Sequence, residues 1–329
     1  MSKICLLLLI FQLFFMPWPV FAQGDGERLK ALQGRVKELE REMARLKRML
    51  DTSYKFSESI VLFDKKIDLT KEEIRERFER EFFLLVERRG LIKILLKRYF
   101  KWREFLQREI ASTSSHPDLI FVAIAESYLN PRAVSPQKAA GLWQFVKETG
   151  REEGLYVDEG LDERYDIVRA TRTALAHIKR LEKEFGDSFL ALAAYNAGRA
   201  RVKEAIENQR TRDFFELFLP EETERYVMRI AALKEIISNH EKYGIYVVES
   251  ELYRSLRVTQ RRLVVEREIP VTVISDAMGL SYKAFRDLNL HVRKYKLERG
   301  NYYINVPEER VGQFERKISE TPFVRLEQP

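Results

Sequence analysis

Between residues 29 and 50 the apolar positions fall into one stripe. Leu29, Leu32, Val36, Leu39, Met43, Leu46 and Leu50 follow each other at alternating steps of three and four. That is an a/d heptad seam, and Glu, Lys and Arg flank it. A helix of this kind buries its seam against a second copy or a partner helix, so residues 23–54 read as a coiled coil. Gly34 weakens the helix by about 1 kcal/mol relative to Ala. A polar break follows around 51–59. Helical spacing then returns in Ile74, Phe78, Phe82 and Leu85, and again in Leu91, Ile94 and Leu95. It predicts a helical arm over 55–110, with Asp68 or Thr70 as its cap and Gly90 at a joint. Residues 119–125 are continuously apolar and too short to assign by period. Further helices are predicted over 168–185, 189–197, 201–207 and 223–239, and no strand pattern interrupts 70–240. From about Tyr243 the pattern changes to strand (257–266), helix (271–278), helix (282–288) and strand (302–306), with a last helix over 308–318. The predicted fold is therefore mainly α: a coiled-coil helix, an all-α block, and a small α+β module of βααβ order over 245–329.

The first 22 residues have the layout of an export signal. Lys3 precedes a 13-residue apolar run, Pro17 and Pro19 break it, and Val20-Phe21-Ala22 places small residues before Gln23. The run is short for a bilayer span. Cleavage there leaves no stable membrane anchor and directs the chain to the periplasm. The single cysteine, Cys5, lies inside that leader, so neither a disulfide framework nor a cysteine metal site is expected. His116, His177, His240 and His291 are scattered without metal-ligand spacing, and no phosphate-binding glycine loop occurs. No metal or other cofactor is expected. A net charge of +7 over 329 residues is a mild basic excess, and basic runs such as Arg261-Arg262 read as solvated faces. Nucleic acid is not an expected partner.

Glu126 ends the apolar stretch. A carboxyl at the end of a buried helix is poorly solvated, which disfavours its charged form and suits it to proton donation near neutral pH. Five groups of residues surround that observation. They are Glu126-Ser127 with Asn130-Pro131, then Gly141-Leu142-Trp143-Gln144-Phe145, then Asp162-Glu163-Arg164, then Ala191 to Gly198 containing Tyr195-Asn196, then Leu219 to Val227 containing Glu224-Arg225-Tyr226. In this order and spacing, over about 117–243, the chain resembles the soluble-type lytic transglycosylases, in the branch like membrane-bound lytic transglycosylase D. The module, through Ile274 to Ser281 and Leu288-Asn289, resembles a degenerate glycan-binding LysM domain.

The resemblance implies a goose-lysozyme-like catalytic domain over 111–244. It implies peptidoglycan glycan strands as substrate, with non-hydrolytic cleavage of the β-1,4 bond between N-acetylmuramic acid and N-acetylglucosamine. Glu126 matches the single acid/base. It would protonate the glycosidic oxygen and then accept the proton of the muramyl C6 hydroxyl, which closes a 1,6-anhydro ring. Ser127, Gln144, Tyr195, Asn196 and Tyr226 match substrate-binding positions of the groove. Trp143 fits a sugar-stacking ring or a core position equally. Lys138 stands where the family usually has Gly, and Arg199-Ala200 where a Glu-Gly pair is common. Two other readings are a lysozyme-type hydrolase, which needs a second carboxylate to activate water, and a non-catalytic wall-binding scaffold. Asp158, Asp162, Glu163 and Asp166 are the candidates for that second carboxylate, although Asp162-Glu163-Arg164 also reads as a turn closed by a local ion pair.

Overall fold

The computed structural model of the chain describes residues 25–50 and 54–327, with side chains from residue 28 to 45 and from 54 onward. The leader expected at 1–22 lies outside the described residues. No helix among those described is long and apolar enough to cross a membrane. The chain forms two units, divided at Tyr54. The first contains one helix, α1 (Asp25–Leu50), whose residues from 28 to 45 are all exposed.

The second unit opens with a hairpin that the hydrophobic pattern did not signal. Strands β1 (Ser59–Leu62) and β2 (Lys65–Asp68) pair antiparallel around Phe63-Asp64. Both turn residues have positive φ, 51° and 57°, the backbone of a two-residue hairpin normally filled by Asn-Gly. The Phe63 N–H donates to the buried Asp118 carboxylate (2.8 Å), which holds the turn without glycine. The expected helical arm begins only afterwards, as α2 (Glu72–Val86) and α3 (Arg89–Ser112). Neither Asp68 nor Thr70 caps α2. Asp68 instead accepts from the backbone and hydroxyl of Thr70, closing a turn ahead of the helix, and Lys71 is the uncapped start. The break between α2 and α3 falls at Glu87-Arg88, just before Gly90.

The continuously apolar stretch is a helix, α4 (Leu119–Ser127), buried on every side from Leu119 to Ile124. After the short α5 (Lys147–Glu152) come α6 (Ile167–Phe185), α7 (Ser188–Ala197), α8 (Arg199–Gln209) and α9 (Glu221–Ser238). Asp166 and Asp187 cap α6 and α7 by accepting from two backbone amides each. Helix α9 is central. It packs on α2, α4 and α7, and Val227, Ile230, Ala231, Leu233 and Ile236 are fully buried.

The module keeps the expected strand–helix–helix–strand order and last helix, and adds a short strand pair, β4 and β5, that the pattern did not announce: β3 (Val258–Val265), β4 (Ile269–Pro270), α10 (Val271–Ala277), α11 (Tyr282–Leu288), β5 (Lys296–Leu297), β6 (Gly300–Pro307), α12 (Val311–Ser319). A final strand that the pattern did not announce, β7 (Val324–Leu326), pairs with β3, so the sheet order is β6-β3-β7. Leu263, Ile274, Phe285, Ile304 and Phe314 form its core.

The module is fastened to the helical block. The Asp162 N–H donates to His291 O (2.9 Å) and the Arg293 N–H to Gly160 O (2.8 Å). The Asp166 carboxylate, besides capping α6, accepts from the side-chain amides of Gln260 (3.0 Å) and Asn305 (3.3 Å). Asp166, Asn289, Asn305 and His291 are all buried. Buried polar groups at such a junction stabilise only as a satisfied set. Asp166→Ala removes a helix cap and the charged acceptor of two side-chain amides, which keep only Asn305 Oδ1 (for Gln260) and Leu288 O (for Asn305). It is expected to cost about 3 kcal/mol in urea denaturation, from the ordinary worth of a cap and of hydrogen bonds to a charged group. A loss below about 1 kcal/mol would show that the junction does not bind the module.

Candidate active site

Helix α4 ends where Glu126 needs it to end. Tyr128 and Leu129, the next residues but one, both take left-handed backbone at φ 49° and 53°. For residues with a Cβ this costs on the order of 1 kcal/mol each. It stops the helix abruptly, and the Arg98 guanidinium donates to Tyr128 O (3.0 Å) across the turn. Glu126 is thus left on the last turn of a helix that is otherwise wholly buried. The residue keeps some solvent access, while its carboxyl is crowded by protein. Desolvation pushes its pKa up from 4.5 to about 7.

The carboxyl has one close partner. Tyr226 on α9 donates its hydroxyl to Glu126 Oε1 at 2.5 Å. This bond and the positive charge of Arg229 pull the pKa down, and the negative charge of Glu222 pushes it up. All three are smaller effects than burial. The Tyr226 phenol is itself held far above its usual range, first by burial and then by the Glu126 charge, so it stays a neutral donor. Arg229 is anchored on both sides, by Glu81 (3.0 Å) and Glu222 (3.0 Å).

The other expected site residues divide by position. Tyr195 lies close enough to Glu126 for the carboxylate charge to raise its pKa, after burial. Its hydroxyl donates to Trp143 O (2.7 Å), which ties α7 to the Trp-Gln loop. Gln144 sits in that loop with φ 50°, and its amide donates to Gly141 O (2.7 Å) and Ala133 O (3.2 Å). Asn196 accepts from the Thr223 hydroxyl (3.0 Å), joining α7 to α9 one turn before Tyr226. Ser127 is buried, and its hydroxyl donates back to Ala123 O (3.2 Å) within α4. Of the two roles open to Trp143, the core one holds. It is fully buried, with its indole N–H on the Thr171 hydroxyl (2.9 Å).

The Trp-Gln loop is shaped by the Asp162-Glu163-Arg164 turn. Asp162 pairs with Arg164 through two oxygens (2.8 and 2.9 Å). The same guanidinium donates to Lys138 O (2.9 Å) and Phe145 O (3.2 Å) at the two ends of the loop. Gly141 takes φ 81° against Arg164 O, where any Cβ would stand 1.9 Å from that oxygen. Only glycine fits there. Lys138, at the position where the family usually has Gly, also takes positive φ (62°). His177 was not among the expected site residues. It packs between Phe145 and Tyr195, with Nδ1 2.9 Å from Glu153, and burial lowers its pKa. The scattered histidines carried no signal for it.

The raised pKa of Glu126 has a consequence for stability. The folded carboxyl takes up its proton near pH 7 and the unfolded one near 4.5. Protonation therefore favours the fold. The contribution is complete below about pH 4.5 and lost as pH rises through 7. Glu126→Gln is expected to match the parent at pH 4 and to be more stable at pH 8, by up to about 3 kcal/mol. Equal stability of both proteins at both pH values would show that the carboxyl titrates normally.

Residues 105–218 match the transglycosylase SLT domain. That span contains Glu126, Ser127, Gln144, Tyr195 and Asn196, and stops short of Tyr226. Membrane-bound lytic murein transglycosylase D of Escherichia coli K12 is 34% identical over 208 residues, 61% of this chain and 45% of that protein. Membrane-bound lytic murein transglycosylase F 2 of Alkalilimnicola ehrlichii is 30% identical over 127 residues, 37% of this chain and 28% of that protein. The chain thus spans less than half the length of either relative. Among solved structures, an inactive mutant of lytic transglycosylase Slt from Pseudomonas aeruginosa is 25% identical over 47% of this chain and 27% of its own, with a TM-score of 0.36. Sequence motifs and domain match agree: residues 105–218 of the chain carry a transglycosylase SLT domain.

Proposed function

We propose that the protein is a peptidoglycan lytic transglycosylase that works with Glu126 as its single general acid and base. The reading rests above all on one observation, a carboxyl whose pKa is about 7 held by a neutral phenol. At neutral pH a large share of Glu126 carries a proton and can give it to the glycosidic oxygen between N-acetylmuramic acid and N-acetylglucosamine. The resulting carboxylate then takes the proton of the muramyl C6 hydroxyl as that oxygen attacks C1. The β-1,4 bond breaks, a 1,6-anhydro ring forms, and water does not enter. Tyr226 keeps the carboxylate oriented through both transfers without adding a competing charge.

The carboxylates that a hydrolase would draw on are already engaged. Asp158 accepts from the amides of Gly160 and Leu161, and Asp162 is paired with Arg164. Glu163 binds the Tyr156 amide and Arg169, and Asp166 caps α6. Glu222, the acid whose charge reaches Glu126, is paired with Arg229. This favours the transglycosylase over water attack. Gln144, Tyr195 and Asn196 would line the glycan path, with Ser127 behind it. The two relatives are murein transglycosylases, which supports this substrate. Cleavage after Ala22 would deliver the enzyme to the periplasm for cell-wall remodelling, and the module would add a LysM-like hold on glycan.

Mass spectrometry of purified peptidoglycan after digestion is expected to show fragments ending in 1,6-anhydro-muramic acid. Glu126→Gln is expected to lose at least about a thousandfold in rate. Reducing ends one water heavier would replace this reading with the lysozyme one. Retained wall binding without cleavage by the parent would favour the scaffold. The rate is expected to fall as pH rises above about 7, where the acid loses its proton. Tyr226→Phe removes a bond that lowers that pKa. Its alkaline limb is expected to move up by about one unit while the maximal rate drops. A limb that stays in place would show that Tyr226 does not act on Glu126.

A further inference from the structure

Helix α1 leaves an apolar seam without cover. Leu29, Leu32, Val36, Leu39 and Met43 are each 49–68% exposed, on a helix whose opposite positions are charged. Gly34 falls at the outermost f position and meets nothing within 4 Å. A lone 26-residue helix containing such a glycine is marginal in water, and most helices gain their stability from a packed apolar face. The seam needs a partner.

We propose that α1 pairs with the α1 of a second copy as a parallel, in-register, two-stranded coiled coil. The charges that flank the seam decide the partner and its direction. With Leu29, Val36 and Met43 at a, and Leu32, Leu39 and Leu46 at d, the g positions are Arg28, Arg35 and Glu42 and the e positions Gln33, Glu40 and Lys47. In a parallel pair each g residue meets the e residue five places on in the other copy. Arg35 then meets Glu40 of the second copy and Glu42 meets Lys47 of the second copy. By symmetry that makes four attractive contacts and no repulsive one. An antiparallel pair with Val36 level with Leu39 of the second copy brings only Arg35 and Glu42 together, twice, and leaves Glu40 beside Gln33. The chain is thus complementary to itself, and more so when parallel. Of the a residues only Val36 is of the β-branched kind that, with Leu at d, favours two strands.

Two copies joined in this way carry two sites on one assembly, which raises the effective concentration of the second site on a polymer once the first is bound. That consequence rests on the proposed function, whereas the pairing does not.

The test uses sedimentation equilibrium and cross-linking on the full chain. The parent is expected at twice the mass of one chain. Leu32→Lys with Leu39→Lys is expected at the single-chain mass, with the thermal unfolding of the unit from Lys55 onward unchanged. Cys5 is the only cysteine, so a Cys5→Ser background leaves the chain free of thiols. In that background Val36→Cys is expected to oxidise to a disulfide-linked dimer, because equivalent a positions of a parallel pair face each other within disulfide reach. A mixture of Val36→Cys and Leu39→Cys chains that forms chiefly mixed dimers would establish the antiparallel arrangement and overturn the proposal. A monomeric parent would overturn it too and point to a foreign helix as the partner, and a threefold mass would exclude two strands.

Discussion

Everything in the helical block turns on keeping one carboxyl poorly hydrated. Helix α4 is apolar on all sides because it runs through the middle of the fold, and Glu126 is the first ionisable residue on it. Had the helix run one turn further, the carboxyl would lie within a continuous wall. Had it ended earlier, the carboxyl would lie in solvent with an ordinary pKa. The left-handed backbone at Tyr128 and Leu129 sets the stopping point. Helix α9, crossing against α4, brings Tyr226 to the one carboxyl oxygen. The hydrogen bond stabilises the charged form and burial destabilises it by more. The balance puts the proton affinity close to neutral, where a group can both give and take a proton.

A second layer holds the Trp-Gln loop in shape, and it is made of backbone carbonyls. Trp143 O takes the Tyr195 hydroxyl, Gly141 O takes the Gln144 amide, and Lys138 O and Phe145 O take the Arg164 guanidinium. The loop is thus pinned through its carbonyls, two of them by the same guanidinium. This explains why the segment from Asp162 to Asp166 matters beyond its own turn. At one end Arg164 clamps the loop. At the other Asp166 caps α6 and receives Asn305 and Gln260 from the module. The module and the Trp-Gln loop are therefore both hydrogen-bonded to the same five consecutive residues, 162–166.

How much of this could be read from the chain follows from the range of each interaction. The helices with an amphipathic period were visible, since the period is a local property. So were the βααβ order and the ion pair of Asp162 with Arg164, two residues apart. The stretch 119–125 had no period because a helix buried all round has none. The hairpin at 59–68 was hidden because its turn has no glycine or asparagine, and the compensating carboxylate, Asp118, lies 55 residues away. Distance hid the junction too: Asn305 and Asp166 are 139 residues apart, and nothing local marks either as buried. Trp143 looked equally suited to sugar or core because its neighbours in sequence are the same in both cases. Thr171, 28 residues on, decides it. Among the expected site residues, solvation gives Glu126 a weak signal of its own, while Ser127, Gln144, Tyr195, Asn196 and Tyr226 rest on the resemblance.

Strain completes the account of the site. Among the described non-glycine residues with positive φ, Tyr128, Leu129, Lys138 and Gln144 all fall between Glu126 and Phe145 in the chain. Each conformation costs on the order of 1 kcal/mol and persists only where the surroundings over-determine it. At three of the four such a determinant is visible: Arg98 on Tyr128, Arg164 on Lys138, and the Gln144 amide on the two carbonyls beneath it. The position where the family usually has Gly makes the point clearest. Lysine there takes the backbone that glycine would take freely, and the charged hydrogen bond from Arg164 to its carbonyl supplies what the side chain costs. The lysine thus holds the left-handed backbone of the turn while its side chain places an exposed cation on the loop.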